Sequence, residues 1–259
     1  MNDYAPQSVS AAEPTWTTRT SPERTNPAAL EEGTGPYQIK FDPYSSHSVI
    51  LSLLGEGRGR RLLDVGAAQG DMAQLLTQQG FEVAALEGDP ALAAMARGKC
   101  REVVVTNLDE DLAVITAPVD VILYADVLEH LKDPLRVLRS LNRQLKPGGL
   151  AVISVPNIAH LYVRLKVLFG CFEYENRGIM DRTHLRFFTL ASFRRLLRDA
   201  GLEIMTLTST PVPLPLVVPE RYHGKVLNIV HALSACLARV WKTMFAYQFI
   251  AVARMGVAA

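Results

Sequence analysis

The stretch that decides the fold runs Leu62-Leu-Asp-Val-Gly-Ala-Ala-Gln-Gly-Asp-Met72. An apolar run suited to a strand stops at a turn of small residues, and a helical pattern begins at Asp71. Gly66 and Gly70 are placed to let the backbone approach a ligand closely. The unpaired amides of a helix start would face that ligand. Asp64 stands just before the turn. The next apolar run ends at Glu87, where a carboxylate suits hydrogen bonds from both hydroxyls of a ribose. A glycine turn followed by such an acid predicts a nucleotide-like cofactor. A dinucleotide turn would carry a middle glycine for the pyrophosphate, and here Ala68 stands in that region.

Working outward, strands and helices alternate. Strands are expected over 61–65, 82–86, 102–105, 119–124, 150–155, 202–208 and 247–253. Helices are expected over 71–79, 90–98, 134–145, 189–200 and 224–244, with a short one capped by Ser45 or Ser46 before the first strand. The alternation specifies a doubly wound α/β sheet of Rossmann-like type. Two segments, 156–188 and 209–246, are far longer than the usual ~2–6-residue connection and read as insertions. Residues 1–36 are rich in Pro, Ser, Thr, Ala and Glu without apolar period, so a disordered tail is expected there, with one domain over 37–259.

Hydrophobic residues at 49% and charged residues at 20% describe a globular chain. Lys+Arg at 27 against Asp+Glu at 26 argues against a dedicated nucleic-acid binder. The balance hides a gradient: residues 1–159 carry 14 basic and 20 acidic side chains, and residues 160–259 carry 13 and 6. The basic half suits an anionic partner, and Arg164, Lys166, Arg182 and Arg186 are candidates to hold a phosphate. Three scattered cysteines give neither a disulfide framework nor a zinc spacing. No secretory leader and no membrane-spanning run is read, so a cytoplasmic protein is expected.

The glycine turn resembles the first motif of the class I S-adenosylmethionine-dependent methyltransferases, with Ala68 in place of one family glycine. Glu87 falls where that family has its ribose-binding acid. Asn107-Leu108 falls where it has Asp-Leu beside the adenine. Residues 120–131, Asp120-Val-Ile-Leu-Tyr-Ala-Asp-Val-Leu-Glu-His-Leu131, resemble the fourth strand and following turn of the small-molecule branch that includes the ubiquinone O-methyltransferases. Leu145-Lys-Pro-Gly-Gly-Leu150 resembles the turn before the fifth strand. The resemblance implies a seven-stranded sheet with a reversed last strand, and S-adenosyl-L-methionine held by Asp64, Gly66, Ala67, Gly70, Glu87, Asn107, Leu108 and Ala125. In ubiquinone-type relatives a similar acid-acid-His group is read as a divalent metal site, which would fall on Asp126, Glu129 and His130 here.

The insertion, with Phe172-Glu-Tyr-Glu-Asn-Arg-Gly-Ile-Met-Asp181-Arg-Thr-His184-Leu-Arg-Phe-Phe-Thr189, resembles a subgroup of bacterial methyltransferases associated with glycan assembly. That implies a small-molecule acceptor, a saccharide hydroxyl on a lipid or nucleotide carrier. A hydroxyl acceptor must lose a proton, and a histidine titrates in the right range. His184 is the first candidate base, with Asp181 to orient it, and His160 is the second. Residues 211–244 combine an apolar run with an amphipathic helix, which packs on the core, joins a second copy or lies on the inner face of a membrane. A nicotinamide-dependent oxidoreductase and a non-catalytic protein that keeps the fold are the alternatives at this stage.

Overall fold

The computed structural model describes residues 42–111 and 117–256. The tail expected over 1–36, and the start of order expected near Tyr37, lie outside the described residues. Seven strands form one sheet: β1 (Arg61–Val65), β2 (Glu82–Glu87), β3 (Glu102–Val105), β4 (Val119–Ala125), β5 (Leu145–Pro156), β6 (Leu202–Thr210) and β7 (Gln248–Met255). Their order is β3-β2-β1-β4-β5-β7-β6. The first five strands are parallel, and β7 runs antiparallel to both its neighbours. The order of succession reverses between β1 and β4, which opens a crevice at their carboxyl ends.

The helices are α1 (Ser46–Leu54), α2 (Asp71–Gln78), α3 (Pro90–Ala96), α4 (Pro134–Leu141), α5 (Leu161–Leu168), α6 (Leu190–Asp199), α7 (Leu214–Val217), α8 (Lys225–Val240) and α9 (Lys242–Phe245). Their starts follow local chemistry. Asp89 and Asp133 accept the first free amides of α3 and α4, each followed by a proline that needs no amide partner. Thr189 and Ser192 close a reciprocal capping box on α6. Successive residues of the central strands go to opposite faces. Leu62, Val121, Leu123 and Val152 pack with Ile50, Met72 and Leu76. Leu63, Ile122, Tyr124 and Ile153 pack with Leu138, Phe193 and Leu197. Burial on both faces explains why these strands read as continuous apolar runs.

The end of α4 and the start of β5 differ from expectation for physical reasons. The helix expected over 134–145 stops at Leu141, because Asn142 turns inward and its Oδ1 accepts the buried Tyr124 hydroxyl at 3.0 Å. The Lys146-Pro-Gly-Gly149 run is extended as the start of β5, and Lys146 pairs with Asp120 at 2.8 Å. The insertion at 156–188 contains α5, and a small apolar cluster of Val163, Ile179 and Met180 holds the segment together. The insertion at 209–246 holds α7, α8 and α9, and α8 docks on β6, where Ser209 Oγ donates to the Ala238 carbonyl at 2.8 Å.

Candidate active site

The turn after β1 is stitched to β2. The amides of Gly66 and Ala67 donate to the Leu86 carbonyl at 2.8 and 3.1 Å. Gly66, Ala68 and Gly70 all adopt positive φ, at 73°, 49° and 80°. Both glycines also have close protein neighbours. A Cβ on Gly66 would stand 2.8 Å from Val127 Cγ2, and one on Gly70 would stand 3.0 Å from Ala96. These glycines let the turn close against the segment after β4 and against α3.

Glu87 anchors the same turn. Its Oε2 accepts the Ala68 amide at 2.7 Å and its Oε1 accepts the Asp89 amide at 2.9 Å. Charge-assisted bonds of this kind fix the carboxylate at the crevice. Asn107 follows β3 beside it and is exposed, with Oδ1 accepting the Asp109 amide at 3.1 Å. Leu108 is buried in the main core, and Ala125 is half-buried where β4 ends. Asp64 lies inside the sheet at 2% exposure, and its Oδ2 has no hydrogen-bond partner among the described residues. Burial, and then the charge of Glu87, push its pKa up to about 7. Asp64 in turn helps burial raise the Cys100 thiol to about 12. An orphaned buried carboxyl beside a carboxylate favours a cationic ligand nearby.

The second half of the site gathers where β4 ends. Asp126 is held at φ 52°, a strained conformation for a non-glycine residue. Its Oδ1 accepts Ser154 Oγ and its Oδ2 accepts Gln248 Nε2, both at 2.7 Å. Asp126 is thereby turned away from the acid-acid-His group that the resemblance implied. Glu129 and His130 instead meet His184, with one potential ligand atom from each within 4.8 Å of the others. The Glu129 carbonyl accepts the amides of Leu185 and Arg186 at 2.7 and 2.9 Å, which pins the insertion to this corner. Burial first, and then the Asp126 charge, hold the Glu129 carboxyl well above the usual carboxylate range. Its Oε2 has no partner among the described residues.

His184 is 8% exposed, and its Nδ1 lies 3.2 Å from the Ile179 carbonyl. A carbonyl only accepts, so Nδ1 carries the proton and Nε2 keeps its lone pair. Burial and then His130 pull its pKa below the ordinary 6.5, against the opposing effects of Ile179, Asp181 and Asp126. Asp181 does not orient this ring, contrary to expectation. Its Oδ1 accepts the amide and hydroxyl of Thr183 at 2.8 and 2.7 Å, and Thr183 Oγ1 faces His130 Nδ1 at 3.2 Å. His160 is a helix cap. Its Nδ1 accepts the Tyr162 amide at 3.1 Å, and its ring also bonds the Phe245 backbone, so both ring nitrogens are engaged. Three of the four expected phosphate ligands are engaged as well. Arg164 bonds the Ala159 carbonyl, Lys166 pairs with Glu175, and Arg186 bonds the Lys132 carbonyl. Ser154, Gln248 and Thr183 are site residues that the sequence reading missed. Ser154 and Gln248 are polar side chains inside apolar strands, and that contrast is the signal that could have found them.

A family profile described as a methyltransferase domain matches residues 40–207. The chain belongs to the class I S-adenosylmethionine-dependent methyltransferases. A ubiquinone biosynthesis O-methyltransferase of Cereibacter sphaeroides is 31% identical over 185 residues, covering 69% of this chain and 72% of that one. A solved methyltransferase from Archaeoglobus fulgidus superposes with TM-score 0.54 at 18% identity, covering 80% and 94% of the two chains. The [4+2]-cyclase SpnF superposes with TM-score 0.53 at 20% identity over 82% and 81%. The fold alone therefore does not dictate the chemistry, and the family match does. The methyltransferase uses S-adenosyl-L-methionine, which retires the nicotinamide alternative. The orphaned Asp64 oxygen and the anchored Glu87 fit a cofactor with cationic and ribose ends.

Proposed function

We propose that the enzyme methylates a hydroxyl of a small molecule, a saccharide or related metabolite, with His184 as the base. The observation that carries this is the His184 ring: buried, neutral at neutral pH, with Nδ1 on a carbonyl and Nε2 unclaimed. The cofactor supplies an electrophilic methyl on a sulfonium. The turn after β1, with Glu87, holds the nucleoside end. The insertion would hold the acceptor within reach of the transferable methyl. His184 Nε2 would take the proton of the acceptor hydroxyl. The nearby Asp126 and Asp181 charges stabilise the resulting imidazolium. The names of the ubiquinone relatives support a hydroxyl acceptor, and the resemblance of the insertion supports a saccharide. Arg182, whose guanidinium has no partner among the described residues, is left to meet a carrier phosphate.

The meeting of Glu129, His130 and His184 favours a second reading, in which these three hold a divalent cation that binds the acceptor oxygen. One experiment separates the two. His184→Ala is expected to lower turnover by ~10²–10⁴-fold with cofactor affinity unchanged by calorimetry. With the base reading, a chelator leaves the wild-type rate intact and the rate falls on acidification only below pH 6.5. Loss of activity on chelation, restored by a divalent metal, selects the second reading. Full activity of the folded variant refutes both.

A further inference from the structure

The α8 helix is amphipathic in the inverted sense. Its inward face is made by His231, which bonds Asp42, and by Ala235 and Ala238, the latter on β6. Its large apolar side chains point away from the protein: Val226, Ile229, Leu233, Leu237 and Val240 recur at three- and four-residue spacing and are 48–80% exposed. Trp241 follows at the carboxyl end, and Tyr222 precedes at the other, both more than half exposed. A soluble helix normally turns such a stripe inward, so this one waits for an apolar cover.

Charge selects the cover. Residues 221–259 contain no Asp or Glu. Arg221, Lys225, Arg239 and Lys242 lie in and beside the helix, and none of the four has an acidic partner among the described residues. A second copy docked face to face would set these cations against themselves, since a two-fold interface opposes like to like. An anionic bilayer supplies both the apolar layer and the counter-charge. No described helix is long and apolar enough to cross a membrane. A 16-residue helix with an apolar stripe, basic flanks and terminal aromatics suits the interface plane.

The surface is joined to the acceptor side. The Lys242 and Ala246 carbonyls accept Asn157 Nδ2 at 3.5 and 2.8 Å, and the Thr243 carbonyl accepts Arg164 at 3.5 Å. Beside this seam the end of α5 exposes Leu168 and Phe169. We infer that α8 and its flanks form an interfacial anchor for an anionic membrane, which would place the acceptor insertion at the inner leaflet. The anchor's purpose rests on the reading of a lipid-carried acceptor, whereas its geometry does not.

The test is sedimentation of the full chain with phosphatidylcholine vesicles, with and without phosphatidylglycerol, and needs no methyl acceptor. Wild-type protein is expected to bind the anionic vesicles, less tightly as salt is raised, with a blue shift of Trp241 emission in a Trp16→Phe background. The outward-facing double variant Ile229→Gln/Leu233→Gln is expected to lose roughly tenfold or more in vesicle affinity, with cofactor affinity as the check on its folding. The inference is overturned if wild type ignores anionic vesicles, if the variant binds them equally, or if wild type is a dimer that the variant dissociates. Failure to methylate any saccharide would refute the acceptor reading and leave this result standing.

Discussion

Replacing Asp64 by Asn removes a carboxyl that the sheet buries with one oxygen unpartnered. Burial raises its pKa from 3.8 to about 7 in the fold, while the unfolded chain keeps the ordinary value. Between those values the folded protein holds a proton that the unfolded chain has released. Stability contributed by the neutral carboxyl is therefore lost as pH rises from about 4 to about 7, and above that the ionised group weighs on the fold by a constant amount. At ~1.4 kcal/mol per tenfold change in proton affinity the full penalty is about 4 kcal/mol, of which about 3 kcal/mol develops between pH 5 and pH 8.5. The asparagine of the variant would carry no such titration. Its amide needs a buried partner and costs about 1–3 kcal/mol, but equally at both pH values. The assay is urea unfolding of both proteins without cofactor at the two pH values. The stability of Asp64→Asn relative to wild type is expected to improve by about 3 kcal/mol at the higher pH, or ~6–12 °C in relative melting temperature. Titrating groups that do not interact with Asp64 cancel in that double difference, and a Cys100→Ser background removes the coupled thiol. Parallel pH–stability curves would refute a proton on Asp64, and with it the account of the orphaned oxygen. Cofactor should protect the variant less than wild type, because the variant lacks the negative charge.

Glu87→Ala removes the acceptor of the Ala68 and Asp89 amides, the carboxylate proposed to meet the ribose. It is expected to weaken S-adenosylmethionine by ~1.5–3 kcal/mol, tenfold or more by calorimetry, and unchanged affinity would reject the role. Gly66→Ala forces a Cβ against Val127 at a φ of 73° and should cost about 1–3 kcal/mol in unfolding free energy. Part of that should return in the Gly66→Ala/Val127→Ala double variant, and an equal cost in both backgrounds would show that contact with Val127 is not the cause.

Local chemistry carried most of the sheet. The bounds of β1 agree with its apolar run, because a buried parallel strand begins and ends where water begins, and the half-buried edge strand β3 also keeps its expected bounds. The candidate site was legible in its backbone, as in the positive-φ turn at Gly66 and Gly70. It was not legible where partners come from distant strands. Asp126 reads as one more acid of a motif until Ser154 and Gln248, on β5 and β7, turn its carboxylate aside. A competition between near neighbours separates His184 from Asp181. Three residues apart, they looked like a pair, yet the turn between them needs the carboxylate to satisfy Thr183, and the ring finds the Ile179 carbonyl instead.

That exchange has a chemical consequence. A carboxylate on Nδ1 would raise the basicity of His184 and hold a proton there, whereas a carbonyl fixes the tautomer with less charge. Burial then dominates, and the ring stays neutral at neutral pH. The base role proposed for His184 would need the ring unprotonated beforehand and steadied afterwards. Burial and the neighbouring His130 meet the first need, while the Ile179 carbonyl fixes the tautomer. Asp126 and Asp181, near the ring but bonded to other partners, meet the second through space. The strain held at Asp126 fits this division, because a relaxed backbone at that position would re-aim the carboxylate that Ser154 and Gln248 now hold.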